Sequence, residues 1–453
     1  MRSKTPKLLH PICGWPMIAW PVAASRQAGA TRIVVVDAPG APLRNRLDSD
    51  ITVVVQQQPR GTADALKAAL PEISAQDTVV VLYGDVPLIT AESIRALAGT
   101  HEQAGAAATM LTATLDDPSG YGRVVRGADG AVERVVETKQ AGDATAEQLL
   151  IREVNTGIYA FAGERLEAAL EQIGNDNAQG EYYLPDVLPA LRAQGHTVAA
   201  HALGDVGEMF NVNDRRALAH ATRIAQRRIS DRHMLAGVTI VNPDATVIDA
   251  DVSLGEDVTI EPGSALHGAT TVGDGSTIGP HSTLRDATVG KRSRVIHSHA
   301  TDAVIADGVS VGPFAYVRPG TVLRDGAKAG SFVEIKNSDV GERAKVPHLS
   351  YIGDATIGED ANLGASTVTA NYDGRQKHRT RIGARVHTGV DTTLIAPITI
   401  GDDAWTGSGS VLTEDVPEGS LAIARPRQTN HDGYDARVKA RQQASEPEHT
   451  TSD

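Results

Sequence analysis

Two stretches of this 453-residue chain gather side chains that can do chemistry. In Asn371-Tyr372-Asp373-Gly374-Arg375-Gln376-Lys377-His378, eight residues carry amides, a phenol, a carboxylate, two cations and an imidazole around a glycine. Loops of that kind, projecting from a rigid scaffold, commonly carry function. The second stretch is Tyr83-Gly84-Asp85, directly after the apolar run Thr78–Leu82. If that run is a strand of an α/β sheet, Asp85 stands at its carboxyl end, where such sheets bind ligands. An aspartate there is also a common helix cap or turn residue, and the residues alone leave both readings open.

The scaffold behind the first stretch announces itself as a six-residue pulse. Leu254, Ile260, Leu266, Val272, Ile278 and Leu284 lie six apart, and Ile305, Val311, Val317 and Leu323 repeat the spacing. Glycine follows the apolar residue at Val272-Gly273, Ile278-Gly279, Val311-Gly312, Ile357-Gly358 and Ile400-Gly401, among others. A helix repeats every 3.6 residues and a lone strand every two, so this period marks a solenoid. A short strand and a tight turn use about six residues, and three such sides close a triangular coil of about 18. Residues 237–428 then give ten to eleven coils, a prism on the order of 50 Å long. The pulse residues fill its interior, so any site must lie on an outer face. A groove there deepens only where another copy packs beside it, which favours a homo-oligomer with sites at subunit boundaries. The pulse slips at Ala287–Ile305 and again at Thr369–Ile382, and both slips are expected to be bulging loops.

Before the pulse, β-branched runs at Thr31–Asp37, Ile51–Val55 and Thr78–Leu82 alternate with helical patterns at Thr62–Leu70 and Ala91–Ala98. That alternation predicts a parallel sheet covered on both faces. Residues 214–236 carry six arginines, Arg215, Arg216, Arg223, Arg227, Arg228 and Arg232, and read as a solvated connecting helix. Net charge is −13, which argues against a general nucleic-acid binder. Cys13 is the one cysteine, so no disulfide framework exists, and its apolar setting predicts a buried structural thiol. Arg2, Lys4 and Lys7 precede an apolar stretch, Leu8–Ala24, in the manner of a signal peptide. His10, Pro11, Pro16 and Pro21 interrupt it, and a cytoplasmic location is expected. No apolar run reaches the roughly 18 residues of a transmembrane helix. The polar stretch Ser445–Asp453 is expected to be disordered.

The motifs PKLLHP, QQQPRGTADA, LYGDVPL, DDPSGYGRVV, EVNTGIY, NAQGEYYLPD, VRPGT, SFVEIKNS, HLSYIGDATIG, NYDG and IARPRQ follow one another along nearly the whole chain. Together they resemble the bacterial bifunctional N-acetylglucosamine-1-phosphate uridyltransferases/glucosamine-1-phosphate N-acetyltransferases. The resemblance implies a Rossmann-like α/β nucleotidyltransferase domain over 1–213 and a linker helix over 214–236. A left-handed parallel β-helix acetyltransferase domain follows over 237–428, with a partly disordered tail over 429–453. It implies a homotrimer acting on glucosamine-1-phosphate, N-acetylglucosamine-1-phosphate, UTP and acetyl-coenzyme A, with Mg²⁺ as cofactor, in cell-wall precursor synthesis. No nucleic-acid or membrane partner is implied.

Acetylating an amine requires its neutral form, and histidine is the side chain best tuned to remove the proton near neutral pH. His348, in Lys345-Val346-Pro347-His348-Leu349-Ser350-Tyr351, takes that role by resemblance; by itself it reads as one surface histidine among 15. Arg318, Lys336 and Lys377 match the sugar-phosphate cations, and Tyr351, Asn362, Asn371 and Tyr372 the sugar-orienting groups. Ala365, Val390, Ser408 and Arg425 match acetyl-coenzyme A positions. Val390 departs from the serine common in the family, which removes one hydrogen bond to the donor. For uridyl transfer, Lys7 matches a phosphate contact, and Gln56, Gly61 and Thr62 the uracil segment. Tyr83, Gly122, Glu137, Asn155 and Asn213 match nucleotide-sugar positions, and Asp85 and Asn213 the metal pair, whose oxygens suit Mg²⁺.

The family opens with a strand and a Leu-x-x-Gly-x-Gly-Thr-x-Met loop whose backbone amides cradle the triphosphate. This chain starts at the Met that would close that loop. Either its coding start lies upstream of Met1, or uridyltransferase activity is lost. The retention of Gln56, Asp85, Glu137, Asn155 and Asn213 favours the first. Two other readings remain at this point: a sugar-1-phosphate nucleotidyltransferase whose β-helix is only a trimerisation scaffold, and a non-catalytic hexapeptide platform.

Overall fold

The computed structural model describes residues 1–138, 143–175 and 180–445. The tail beyond 445 and the start of the NAQGEYYLPD motif, 177–179, lie outside them. The chain divides into two units. One takes in Met1–Ala236, Asn242–Val252 and Leu266–Gly268; the other takes in Gly237–Val241, Ser253–Ala265 and Ala269–Asp453.

In the first unit the strands expected from the β-branched runs form at Val34–Asp37, Thr52–Val55 and Thr78–Val81. The sheet is mixed, however, not parallel throughout. Val34–Asp37 and Thr52–Val55 make a parallel pair of their own. Thr78–Val81 and Ala108–Thr114 both run antiparallel to Glu153–Ala162, while Val198–Ala202 joins Ala108–Thr114 in parallel. The antiparallel pair Arg123–Arg126 and Val132–Val136 turns the chain round before it reaches Glu153–Ala162, so that strand runs against Ala108–Thr114.

Glu153–Ala162 is the spine of this unit because both of its faces are buried. Tyr159 and Phe161 pack with Leu66, Leu166, Leu170, Leu188 and Leu191 on one side. Ile158 and Ala160 pack with Ile94, Leu97 and Leu111 on the other. The two sets alternate at the strand period of two. The helix Ala91–Gln103 runs five residues past its expected end and starts at a Thr90 cap, whose hydroxyl accepts from Ser93 N at 3.2 Å. The arginine-rich segment is the helix Arg215–Leu235, capped by Asp214. Five of its six arginines are exposed; half-buried Arg228 donates to the Leu88 carbonyl at 2.6 Å. Cys13 is buried, and burial followed by the nearby Asp249 charge pushes its thiol up to about 12, which makes it inert.

The second unit is built from three parallel sheets of seven, ten and nine short strands, visited in rotation. The ten rungs of the longest sheet agree with the expected coil count. The pulse residues fill the interior: Ile260, Leu266, Ile278, Leu284, Ile305, Val311, Val317 and Leu323 are all 0 % exposed. The glycines after them answer to stacking. A Cβ on Gly358 would lie 2.4 Å from the Ala384 amide nitrogen of the next coil, and one on Gly330 would strike the Pro347 carbonyl oxygen.

The two slips differ. At the first, Val272 pairs with Val289, 17 residues on, and Val289 with Ile305, 16 on. Those coils are shortened at a corner and no loop bulges, because the inward residues keep their register. At the second, Ile357 pairs with Ile382, 25 residues on, and the excess projects as the expected loop.

Because Ile352 is 0 % exposed, Ile352→Ala should cost about 2–5 kcal/mol. A lower denaturant midpoint for this unit is the measurement that checks it.

Candidate active sites

On the ten-stranded face of the second unit, successive rungs place Tyr316, Glu334 and Tyr351 in one row and Val317, Ile335 and Ile352 in the next, buried, row. Arg318 and Lys336 follow at the rim. Arg318 donates to Glu334 Oε1 at 2.6 Å, and that bond strengthens its hold on the proton. Lys336 Nζ lies 3.3 Å from Asp354 Oδ2 and within hydrogen-bonding reach of Lys377. The contact with Lys336, followed by its charge, pushes Lys377 down; Arg318 adds to the effect and Asp354 opposes it. Tyr351 Oη and Asn371 Nδ2 both lean over Gly353, where an added Cβ would meet them at 2.5 and 2.6 Å. Five expected residues, Arg318, Lys336, Tyr351, Asn371 and Lys377, thus share one cationic patch.

The loop after Asn371 is ordered by one carboxylate. Asp373 Oδ1 accepts from the Arg375 and Gln376 amides, each at 2.7 Å, and its Oδ2 pairs with His378 Nε2 at 2.7 Å. Tyr372 and Lys377 form an antiparallel bridge across the turn, and Tyr372 is exposed. The backbone hydrogen bond from Gln376, then the His378 bond and the Arg375 amide, hold the Asp373 carboxyl far below the usual carboxylate range.

His348 stands exposed at the corner that ends the strand Lys345–His348. That corner repeats. The residues after it in successive coils donate back in one pattern: Ser366 N to the His348 carbonyl, Asp391 N to Ala365, Gly409 N to Val390. His348, Ala365 and Val390 therefore form a line, and Ser408 continues it one rung on, its nitrogen 2.4 Å from where a Gly389 Cβ would be. Three rungs at about 4.8 Å make that line about 14 Å long. Arg425 reaches the same end, its Cδ 3.9 Å from a Cβ position on Gly409. Asn362 lies apart from the cationic patch, exposed between Lys345 and His387 on the neighbouring sheet face.

In the first unit, Asp85 lies half-buried in the turn that follows its strand, with its carboxylate engaged. Lys7 Nζ is held between Asp85 Oδ2 at 2.5 Å and Asn213 Oδ1 at 2.6 Å. Two oxygens from distant parts of the chain thus converge on one cationic point, a donor set that fits a hard cation. Among the described residues no group of three or more His, Cys, Asp or Glu could hold a metal ion. Gln56 Nε2 donates to the Gly61 carbonyl at 3.2 Å and to Asp64 at 2.8 Å, which leaves its Oε1 as an acceptor. Gly61 is obligatory: its φ is +114°, and a Cβ would sit 2.5 Å from the Tyr182 carbonyl oxygen.

Asn155 Oδ1 accepts from Gly157 N at 2.8 Å and from the Tyr159 hydroxyl at 2.9 Å, so its NH₂ is free to donate. Tyr83 bonds to Thr62, and burial, with Asp85 and Glu137 nearby, pushes its phenol up to about 12. Gly122 abuts Glu137, whose Oε1 lies 3.3 Å from a Cβ position there.

The model for the MobA-like NTP transferase domain matches residues 1–182, and that for the bacterial transferase hexapeptide, six repeats, matches 251–286. A protein from Streptomyces avermitilis named bifunctional protein GlmU is 45% identical over 447 residues, 97% of this chain and 92% of that protein. GlmU proteins of Kineococcus radiotolerans and Shouchella clausii are 47% and 44% identical, over 96% of this chain and 89% and 95% of their own. The chain belongs to the GlmU family. Its two units are accordingly a nucleotidyltransferase domain and a left-handed parallel β-helix of hexapeptide repeats.

Sequence reasoning missed the supports of both sites. Asp354, Asn337 and Glu334 hold the cationic patch, and Tyr159 orients Asn155. Asp186, whose carboxyl is pushed up by burial and then by Glu137, stands near that carboxylate in this GlmU-family chain. Each acts through a neighbour and carries no spacing signal. All five lie inside the quoted motifs, which was the one hint of them.

Because Asp373 is held in its charged form, its support of the loop is full above the ordinary carboxyl value of 3.8 and fades as pH falls toward the depressed one. Hydrogen exchange of the 371–378 amides at pH 7 should rise several-fold in Asp373→Ala. In the parent chain it should stay slow down to about pH 4.

Proposed function

We propose that this chain acetylates glucosamine-1-phosphate with acetyl-coenzyme A, then transfers UMP from UTP to the N-acetylglucosamine-1-phosphate formed. The products are UDP-N-acetylglucosamine and diphosphate. The match to bifunctional relatives along 97% of the chain, through both units, carries this reading.

For acetyl transfer, His348 takes the proton of the sugar ammonium. The free amine attacks the thioester carbonyl, a C–N bond forms, the C–S bond breaks, and coenzyme A leaves as its thiol. Arg318, Lys336 and Lys377 hold the sugar phosphate, with Arg318 suited to a two-point grip. Tyr351, Asn371 and Tyr372 orient the sugar, and the phenols of Tyr351 and Tyr372 donate to the oxygen on which charge develops. The line Ala365, Val390 and Ser408, ending at Arg425, supports a long acyl donor laid along the corner with its thioester toward His348. Val390 offers that donor only a methyl surface.

For uridyl transfer, the open acceptor of Gln56 suits the imide N–H of uracil, beside Gly61 and Thr62. Tyr83, Gly122, Glu137 and the free NH₂ of Asn155 line the sugar position. Asp85 and Asn213 would hold Mg²⁺, which neutralises phosphate charge during attack at the α-phosphorus. Lys7, now between those two oxygens, would turn to the phosphates. The exposure of His348, Asn362, Tyr372, Lys377, Ser408 and Arg425, with Phe314, Phe332 and Leu349 more than half exposed on the same unit, supports a homotrimer with sites between copies. No helix among the described residues is long and apolar enough to cross a membrane. Nucleotide and coenzyme A substrates place the work in the cytoplasm.

Two substitutions separate the half-reactions. His348→Ala should lower acetyl transfer about 10²–10⁴-fold with uridyl transfer unchanged, and Asp85→Ala should do the reverse. Acetyl transfer unaltered in His348→Ala would leave the β-helix as scaffold only. Sedimentation should give three times the 47.6 kDa chain mass.

A further inference from the structure

We infer that Asp354 is the positioning residue of the β-helix site, holding the Lys336 ammonium and the Asn371 amide where a phosphorylated amino sugar needs them. The inference rests on the proposed acetyltransferase reading and extends it to a residue outside the expected set. Asp354 is 6 % exposed, yet its carboxylate serves no core contact. Oδ2 accepts from Asn371 Nδ2 at 2.5 Å, and Oδ1 from Asn337 Nδ2 at 2.6 Å. Lys336 Nζ sits 3.3 and 3.5 Å from the two oxygens. Three donors thus converge from three segments: the strand Glu334–Lys336, the corner after it, and the start of the projecting loop.

The backbone favours this choice. Asp354 has φ +52°, a left-handed conformation that Asp and Asn tolerate best among residues with a side chain. Its own N–H donates to the Lys336 carbonyl at 3.0 Å, which ties the carboxylate to the lysine it holds.

Two consequences follow from charge and hydrogen-bond inventory. With its Nδ2 engaged, Asn371 presents its Oδ1 outward as an acceptor, which suits a sugar hydroxyl or ammonium. Meanwhile Arg318, Lys336 and Lys377 crowd one patch, facing Glu334, Asp354 and the Tyr351 phenol. Glu334 takes Arg318 and Asp354 takes Lys336. Lys377 is left against Lys336, and a phosphate dianion is the partner this arrangement lacks. Without Asp354, Lys336 and Lys377 would repel each other out of the geometry that grips it.

The test is Asp354→Asn in the full chain. Asparagine keeps the volume and the left-handed backbone but loses the charge and one of the two acceptors. Acetylation kinetics are compared for glucosamine-1-phosphate and for glucosamine, with glucose-1-phosphate and coenzyme A as competitive probes. The expected result is a drop of about 10- to 100-fold in kcat/KM for glucosamine-1-phosphate, mainly through KM. The inhibition constant of glucose-1-phosphate should rise to match, while kcat/KM for glucosamine falls less steeply, through Asn371 alone, and coenzyme A inhibition changes less than threefold. Adding Asp354→Asn to Lys336→Met should cost little more than Lys336→Met alone. Equal losses for both sugars, or none for either, would overturn the inference. A parent chain that acetylates neither sugar would instead overturn the acetyltransferase reading itself.

Discussion

The stacking of one coil directly on the next is the constraint on which the β-helix unit depends. Each rung hydrogen-bonds to its neighbours along three sheets, and inward aliphatics fill the interior. Stacking this tight also dictates glycine at points such as Gly330 and Gly358, where a single added carbon would collide with the neighbouring backbone. A structure so filled has nowhere inside for a ligand. All its chemistry is therefore displaced to rims and corners, where residue identity is free of the packing rule. Register does the rest: residues one coil apart become neighbours, so Arg318 and Lys336 share a rim although 18 positions separate them.

What could be read from the sequence follows that division. The pulse, the coil number and the projecting loop at Asn371 were legible because each is periodic or breaks a period. The first slip was misjudged as a bulge, since a lost pulse looks the same whether residues are added or removed, and only the pairing of Val289 with Ile305 tells them apart. The mixed sheet of the first unit was hidden for another reason. Strand direction depends on the hairpin of Arg123–Arg126 and Val132–Val136 that precedes Glu153–Ala162, and a hairpin leaves no more trace in composition than a crossover does. Site residues with named partners in a family motif, such as His348 and Asp85, were visible. Asp354 and Tyr159 were not, since they touch a neighbouring side chain and their importance exists only in three dimensions.

The two candidate sites treat charge in opposite ways. At Asp85 and Asn213 the protein gathers oxygens, and the Lys7 ammonium fills the point where they meet. At Arg318, Lys336 and Lys377 it gathers cations, and only Asp354 and Glu334 keep them from dispersing. The first group balances, one ammonium against one carboxylate, whereas the second sets three cations against two carboxylates and keeps an excess of positive charge. On the proposed reading, a cation with its phosphates would take the place of Lys7 in one, and a sugar phosphate would balance the other.

The supports differ to match. In the first unit, Asn155 is locked by Gly157 and the buried Tyr159 hydroxyl, so a fixed donor faces the pocket without any charge to balance. On the β-helix the clustered cations are long, with Arg318 and Lys336 half-buried and Lys377 exposed, and rigid coils alone cannot fix them. The buried Asp354 carboxylate and the loop folded around Asp373 supply the missing constraint, one beneath the patch and one beside it. A stiff scaffold with flexible cations therefore relies on a few well-held anions for its precision, and those anions are where small changes in sequence should have the largest effect on recognition.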